Sequence, residues 1–433
     1  MRYLYSALLY VLSPLVVLRM LLRSRRVPDY RRRLAERFGI FTVPSTSPSD
    51  TARPAIWVHA VSVGETLAAA PVIESLLQAY PNHRLVVTTT TPTGSQRVQA
   101  LFGGRVFHVY APWDLPGSVR RFLHRTRPCL LLIVETELWP NMLHYSRARG
   151  CRIVLANARL SERSARGYAR FGGLTRSLLE QLDTVACQSA IDGQRFTELG
   201  LPARALQVTG NIKFDLELNE TLCMQAAALR RDYGADKRPI LVVASTHAGE
   251  DGQILAAFAT LRRSVDDCLL VIVPRHPERF DAVHSLCVSA GWQVLRRSGG
   301  ETPAIGDDIV LGDTMGELLL LLGVATVAVI GGSLVEHGGH NVLEAAAWGV
   351  PVVTGPHMFN FAGASDLLVS AGAMIMLEDT RQLGAALVEL LGDPDRRLQM
   401  GAAALQVMAD NRGAKKLLLE LVAENLTGAS ISW

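Results

Sequence analysis

Carboxylates, histidines and basic residues sit in this chain where apolar runs give way to polar turns. Glu65 closes the run His59-Ala60-Val61-Ser62-Val63-Gly64-Glu65. An unprotonated carboxylate at the start of a helix can take a proton from a substrate hydroxyl, the work of a general base. The same residues fit a capping box, in which Ser62 and Glu65 satisfy the first helical N–H groups and do no chemistry. The local pattern leaves both readings open. In either, the helix dipole is expected to keep Glu65 ionised, and Gly64 to let the backbone turn its carboxylate toward a cleft. Glu135 and Glu137 end the apolar run Cys129–Val134. Two carboxylates two residues apart on a strand share a face, so both are candidates for a site at the strand's carboxyl end. No H-x-H, H-E-x-x-H or D-x-D partner lies nearby, and no metal site is expected.

Further along, the pattern turns to anion binding. Lys213, in Gly210–Asp215, supplies a point charge, and Arg275, followed by His276, a two-pronged guanidinium. An ordinary ion pair and a satisfied loop histidine fit these positions equally well. Met315-Gly316-Glu317 follow Asp313 and Thr314, either of which can cap a helix starting near Met315. The most organised stretch runs from Gly331 to Pro356. Apolar Ala325–Ile330 reads as a buried strand. Gly331, Gly332, Gly338 and Gly339 then open a loop, Asn341 caps a helix expected over Val342–Trp348, and Val350–Thr354 forms the next strand. Strand, glycine loop and helix start can hold a phosphate on free N–H groups. Glu344 lies one turn into that helix, where a carboxylate can accept hydrogen bonds from ribose hydroxyls. His337 and His340 flank the glycines as ligand contacts or as loop polar groups. An ordinary strand–helix turn with packing glycines is the plainer reading of the whole stretch.

These residues need a scaffold of strands alternating with helices. Strands are expected at Ala55–Ala60, Arg84–Thr90, Val106–Tyr110, Cys129–Val134, Arg152–Ala156, Thr184–Cys187 and Ala205–Thr209. After a hinge near Gly210–Asn219 they resume at Pro239–Ala244, Leu269–Pro274, Trp292–Arg296 and Asp308–Leu311. The pattern predicts doubly wound parallel sheets with ligands at the strands' carboxyl ends. At 433 residues there is room for two such domains. The net charge of +4 conceals an asymmetry. Residues 1–215 carry 28 Lys and Arg against 14 Asp and Glu, and residues 216–433 carry 16 against 26. The six cysteines form no C-x-x-C pair, which argues against a zinc or disulfide frame. No nucleic-acid motif accompanies the basic half.

Residues 3–22 are apolar apart from Ser6, Ser13, Pro14 and Arg19, long enough to reach across a bilayer core of about 30 Å. Arg23, Arg25, Arg26 and Arg31-Arg32-Arg33 follow, which places the remainder in the cytoplasm against an anionic membrane surface. Pro14 and Arg19 leave an interfacial helix open beside a spanning one. Residues 42–54, with Pro44, Pro48 and Pro54, read as a linker.

Seven segments occur in one order: HAVSVGE (59–65), ETELWPN (135–141), GNIKFD (210–215), PRHP (274–277), GDTMGEL (312–318), GGSLVEHGGHNVLE (331–344) and GPHMFNF (355–361). Together they resemble the 3-deoxy-D-manno-octulosonic acid (Kdo) transferases of Gram-negative bacteria. That resemblance implies a GT-B fold, two Rossmann-like domains facing a cleft behind an N-terminal membrane anchor. It implies a division into 1–26 (anchor), 27–215 (acceptor domain), 216–405 (donor domain) and 406–433 (helical, returning to the first domain). It implies CMP-Kdo as donor, the tetraacylated lipid A precursor as acceptor, no cofactor, and an inverting transfer at the cytoplasmic face of the inner membrane. Glu65 takes the place of the base, and Glu135 and Lys213 those of transition-state stabilisers. CMP contacts fall on Arg275, His276, Met315, Gly316, Glu317, Asn341, Val342, Leu343 and Glu344. The rival readings are a UDP-sugar enzyme of the same fold, a transferase or a 2-epimerase, and a membrane-tethered nucleotide-binding scaffold that is not an enzyme.

Overall fold

The computed structural model describes residues 2–25, 28–43 and 53–427. Arg26 of the basic flank, and Pro44 and Pro48 of the expected linker, lie outside the described residues. The chain divides into two compact units, Met1–Asp215 with Arg412–Trp433, and Leu216–Asn411.

The first unit holds β1 (Ala55–His59), β2 (Arg84–Thr89), β3 (Phe107–Tyr110), β4 (Pro128–Val134), β5 (Arg152–Ala158), β6 (Thr184–Cys187) and β7 (Leu206–Val208). They pair in parallel in the order β3-β2-β1-β4-β5-β6-β7. Every residue of β1 and β4 is buried. Strands covered by helices on both faces need apolar side chains on both, which is why Pro128–Val134 reads as one unbroken run. The strand order reverses between β1 and β4, and a crevice forms in such sheets where neighbouring connections depart in opposite directions.

The last described helix, Ala414–Thr427, belongs to this first unit. Ala414, Leu418 and Val422 recur every fourth residue and join the core around Ile56, Val58 and Leu130. Asp215 anchors its start by accepting the N–H groups of Gly413 and Lys415, each at 2.6 Å. Leu418→Ala is expected to cost about 2–5 kcal/mol. It should appear as an earlier urea midpoint of the first unit's transition with an unchanged slope, and an unmoved midpoint would detach this helix from the core.

The second unit holds β8 (Ile240–Thr246), β9 (Leu269–Pro274), β10 (Val294–Arg296), β11 (Ile309–Leu311), β12 (Val327–Ile330), β13 (Val352–Thr354) and β14 (Met374–Met376). Their order is β10-β11-β9-β8-β12-β13-β14, again all parallel. This order reverses between β8 and β12. The edge strand β14 was not expected, because three residues with two methionines carry little strand signal. Two helices also differ from expectation. The one after Asn341 spans only Leu343–Ala346, and the one expected near Met315 begins at Leu318.

Arg2–Arg23 forms a helix long and apolar enough to cross a membrane, by length and composition.

Candidate active site

In the first unit the candidate residues collect at the reversal point of the sheet. Glu65 follows β1 and Glu135 follows β4. The helix Val63–Ala79 starts on Ser62, whose Oγ accepts the Glu65 N–H at 3.2 Å. The Glu65 carboxylate folds back over this turn, accepting the Val61 N–H at 2.7 Å and the Ser62 hydroxyl at 2.8 Å. The cap is therefore real, and it orients the carboxylate. Gly64 contributes no special backbone geometry, since an added Cβ would meet only Ser62 Oγ at 3.8 Å. Nor does the helix dipole hold Glu65 ionised. Burial pushes its carboxyl up to about 7, the charges of Glu135 and Glu137 add to the rise, and the bonds from Ser62 and Val61 only moderate it.

Glu135 and Glu137 do not share a strand face. β4 ends at Val134, and Glu135 takes a left-handed backbone with φ of 60°. That conformation costs a non-glycine residue roughly 1–2 kcal/mol, and such strain collects at functional sites. It brings Glu135 Oε1 within 3.1 Å of Lys213 Nζ. Glu137 accepts the Trp139 indole N–H at 2.8 Å, and burial raises its carboxyl. His59 lies buried beside this turn, its Nδ1 2.9 Å from Thr88 Oγ1 and its ring edge-on to Trp139. Burial drops it to about 3, so its imidazole is neutral.

In the second unit the loops after β8, β9, β11 and β12 carry the candidates. The expected cradle of free glycine N–H groups is largely closed. Gly331 N–H goes to Ala244 O and Gly339 N–H to Gly332 O. Gly332 N–H, Leu334 N–H and His247 N–H converge on one carboxylate, Glu250, at 2.7, 3.0 and 2.8 Å. Glu250 is fully buried. Its side chain holds the glycine loop against the end of β8. Gly331 could not be replaced there, because a Cβ would collide with the Ser245 carbonyl.

Four histidines gather around that loop. His247 stacks on His337 with ring centres 4.1 Å apart and lies edge-on to His276 at 5.5 Å. Its Nε2 is 2.7 Å from that of His340, so one nitrogen donates and the other accepts. Burial, with neighbouring histidines and arginines, lowers His247 to about 4 and His340 to about 3. Asn341 accepts the Leu343 N–H at 3.2 Å and donates to Glu344 Oε1 at 3.0 Å. Burial raises the Glu344 carboxyl. Asp313 and Thr314 cap no helix. Asp313 accepts the Ser298 N–H at 2.8 Å, and the Thr314 hydroxyl bonds Glu317. Arg297 forks onto Glu317, with both bonds at 3.2 Å. Burial alone would raise Glu317, but Thr314 and Arg297 hold it below the ordinary carboxylate value. Gly316 takes φ of 92°, which only glycine adopts freely, and Met315 is exposed.

Sequence reasoning missed Glu250, His247 and Arg297. One signal was available for Glu250, since Gly249-Glu250 after β8 repeats Gly64-Glu65 after β1.

The family described as 3-deoxy-D-manno-octulosonic-acid transferase (kdotransferase) matches residues 32–216. A 3-deoxy-D-manno-octulosonic acid transferase of Haemophilus influenzae is 43% identical over 422 residues, 97% of this chain and 98% of the relative. Another, from Bordetella pertussis, is 38% identical over 433 residues, again 97% and 98%. Among solved structures, UDP-GlcNAc 2-epimerase from Neisseria meningitidis bound to UDP-GlcNAc aligns with a TM-score of 0.58 at 13% identity, covering 86% of this chain and all of that one. A glycosyltransferase from Rickettsia africae aligns at 0.56 and 13%, covering 86% and 99%. At that identity the likeness establishes the two-unit GT-B fold alone. With close relatives aligned along nearly its whole length, the chain belongs to the Kdo transferases, glycosyltransferases of lipopolysaccharide synthesis.

Proposed function

We propose that this enzyme moves Kdo from CMP-Kdo to the acylated, phosphorylated glucosamine disaccharide precursor of lipid A, inverting the anomeric centre, at the cytoplasmic face of the inner membrane. The observation that carries the reading is the Glu65 carboxylate, capped in place at the sheet's reversal point and raised to about 7. In this reading Glu65 removes the acceptor hydroxyl's proton as its oxygen attacks the Kdo anomeric carbon. The bond to the CMP phosphate breaks on the opposite side. Positive charge then grows on the sugar and negative charge on CMP, so a carboxylate near the first and cations near the second lower the barrier. Glu135, held by Lys213, is assigned to this support. Arg275 and His276 are assigned to the phosphate, with Met315, Gly316, Glu317 and Asn341–Glu344 around the nucleotide. A leaving group with a single phosphate can be stabilised by such groups without a divalent ion, and no metal is assigned a role. The basic surplus of residues 1–215 suits an acceptor that carries phosphates.

The deciding experiment is mass spectrometry of the product after incubation with CMP-Kdo and tetraacylated acceptor. Acceptor carrying Kdo is the expected product and its count reports how many are added. Unmodified acceptor, with turnover of a UDP-sugar instead, would overturn the reading.

A pH profile gives an independent check. Glu65 works unprotonated, so kcat/KM should climb through about pH 7 and level off above it. Stability should move the opposite way. The folded carboxyl holds its proton more tightly than the ordinary value of 4.5, so its contribution is complete below about 4.5 and is lost as pH rises through about 7. A rate flat from pH 5.5 to 8 would remove Glu65 as the base.

A further inference from the structure

The N-terminal helix Arg2–Arg23 has two opposed stripes, one of them exposed along the whole helix and the other bonded to protein in its first turns. Leu4, Leu8, Val11, Leu15, Leu18 and Leu22 fall on one side, within roughly 80° at 3.6 residues per turn. All six are exposed, from 50% of the surface at Leu22 up to 76% at Leu4. The opposite side carries Arg2, Ser6, Leu9 and Ser13, and its first turns are bonded to the body of the first unit. Arg2 donates to Asn141 Oδ1 at 3.2 Å and to the Tyr145 hydroxyl at 3.4 Å. Ser6 Oγ donates to the same Asn141 oxygen at 3.1 Å. Tyr5 bonds the buried Asp114, and the Tyr10 hydroxyl accepts the Gly117 N–H at 3.3 Å.

A helix that crosses the bilayer puts its two ends on opposite sides of an apolar core about 30 Å thick. Twenty-two residues at 1.5 Å each only just reach that far, so no turn could remain on the body's side. Here the first three turns, which would have to lie farthest from the cytoplasmic body, are the ones bonded to it. Crossing would break the contacts of Arg2, Tyr5, Ser6 and Tyr10 and carry Arg2 through the core. Lying flat keeps all of them and presents the leucine stripe to acyl chains. The flanking cations fit this pose: Arg19, Arg23, Arg25, Arg31 and Arg32 are exposed and suit anionic headgroups.

We infer that this helix is an in-plane anchor that binds one leaflet of an anionic membrane through Leu4, Leu8, Val11, Leu15, Leu18 and Leu22 and does not span it. The inference rests on the proposed membrane location and adds the helix's orientation.

Two measurements on the full-length protein test it in native membranes. In Ser6→Cys/Asn141→Cys, whose parent side chains touch, oxidation should convert most of the protein to an internally cross-linked form. A spanning helix would leave the pair uncross-linked. Because the double variant alters the docking it probes, a cysteine-bearing extension placed before Met1 in a chain changed only by Cys223→Ser, which removes the exposed cysteine, supplies the second measurement. A membrane-impermeant maleimide should label it in inverted vesicles and not from the periplasmic side of cells with a permeabilised outer membrane. Labelling from the periplasmic side would overturn the in-plane orientation and leave the membrane location standing. Recovery of the protein in the soluble fraction would overturn both.

Discussion

Glu65→Gln is expected to lower kcat/KM by about 10²–10⁴-fold, the usual range for loss of a general base. The glutamine keeps the shape of the side chain and one oxygen to accept the Val61 N–H, so the helix start should persist. Binding of CMP, measured by calorimetry, should be unchanged, because the nucleotide is assigned to residues of the second unit. The rising limb of the pH profile should disappear in the residual rate. Three outcomes are thus tied together, and they separate a base from a cap. If transfer survives at near the parent rate, the carboxylate is only a capping group and its raised proton affinity is a by-product of burial. If CMP binding falls with the rate, the loss is one of folding.

The second large effect is expected at Glu250. Replacing it by alanine leaves the N–H groups of half-buried His247 and buried Gly332 and Leu334 without their acceptor. Each such orphan costs about 1–3 kcal/mol. Glu250→Ala should therefore lower the second unit's thermal midpoint strongly and abolish CMP binding, since the glycine loop loses what holds it to the end of β8. Glu250→Gln keeps one acceptor oxygen and should fall between. Thermal unfolding followed in parallel with a CMP titration checks both. An alanine variant that melts and binds as the parent does would show that backbone contacts such as Gly331 N–H to Ala244 O suffice to hold the loop.

These two glutamates show how far the sequence reaches. Each ends a Gly-Glu pair just after the first strand of its unit, and each reaches back to a backbone N–H three or four residues earlier. In sequence they are the same device. Tertiary structure separates them. Glu250 meets the loop after β12, which turns two further N–H groups onto it and buries it completely. Glu65 meets no such loop. It keeps one backbone N–H and one hydroxyl, stands close enough to Glu135 and Glu137 to feel their charge, and holds its proton to about 7.

The alternation of strands and helices was legible because central parallel strands are buried on both faces and must be apolar throughout, as in Leu130–Val134 and Leu269–Val273. The seven ordered motifs were legible for the same local reason, and they carried the family. Strand order was not, since pairing between β1 and β4 or β8 and β12 joins segments 74 and 86 residues apart and leaves no local trace. That order decides which loops meet at each reversal point. It also decides whether a glycine-rich turn offers its N–H groups to a ligand or spends them on a neighbour. The sequence by itself determined which residues were available for chemistry. Only the packing of distant segments decided what surrounds each carboxylate, because desolvation and hydrogen-bond supply are set by what folds over a group and not by what precedes it in the chain.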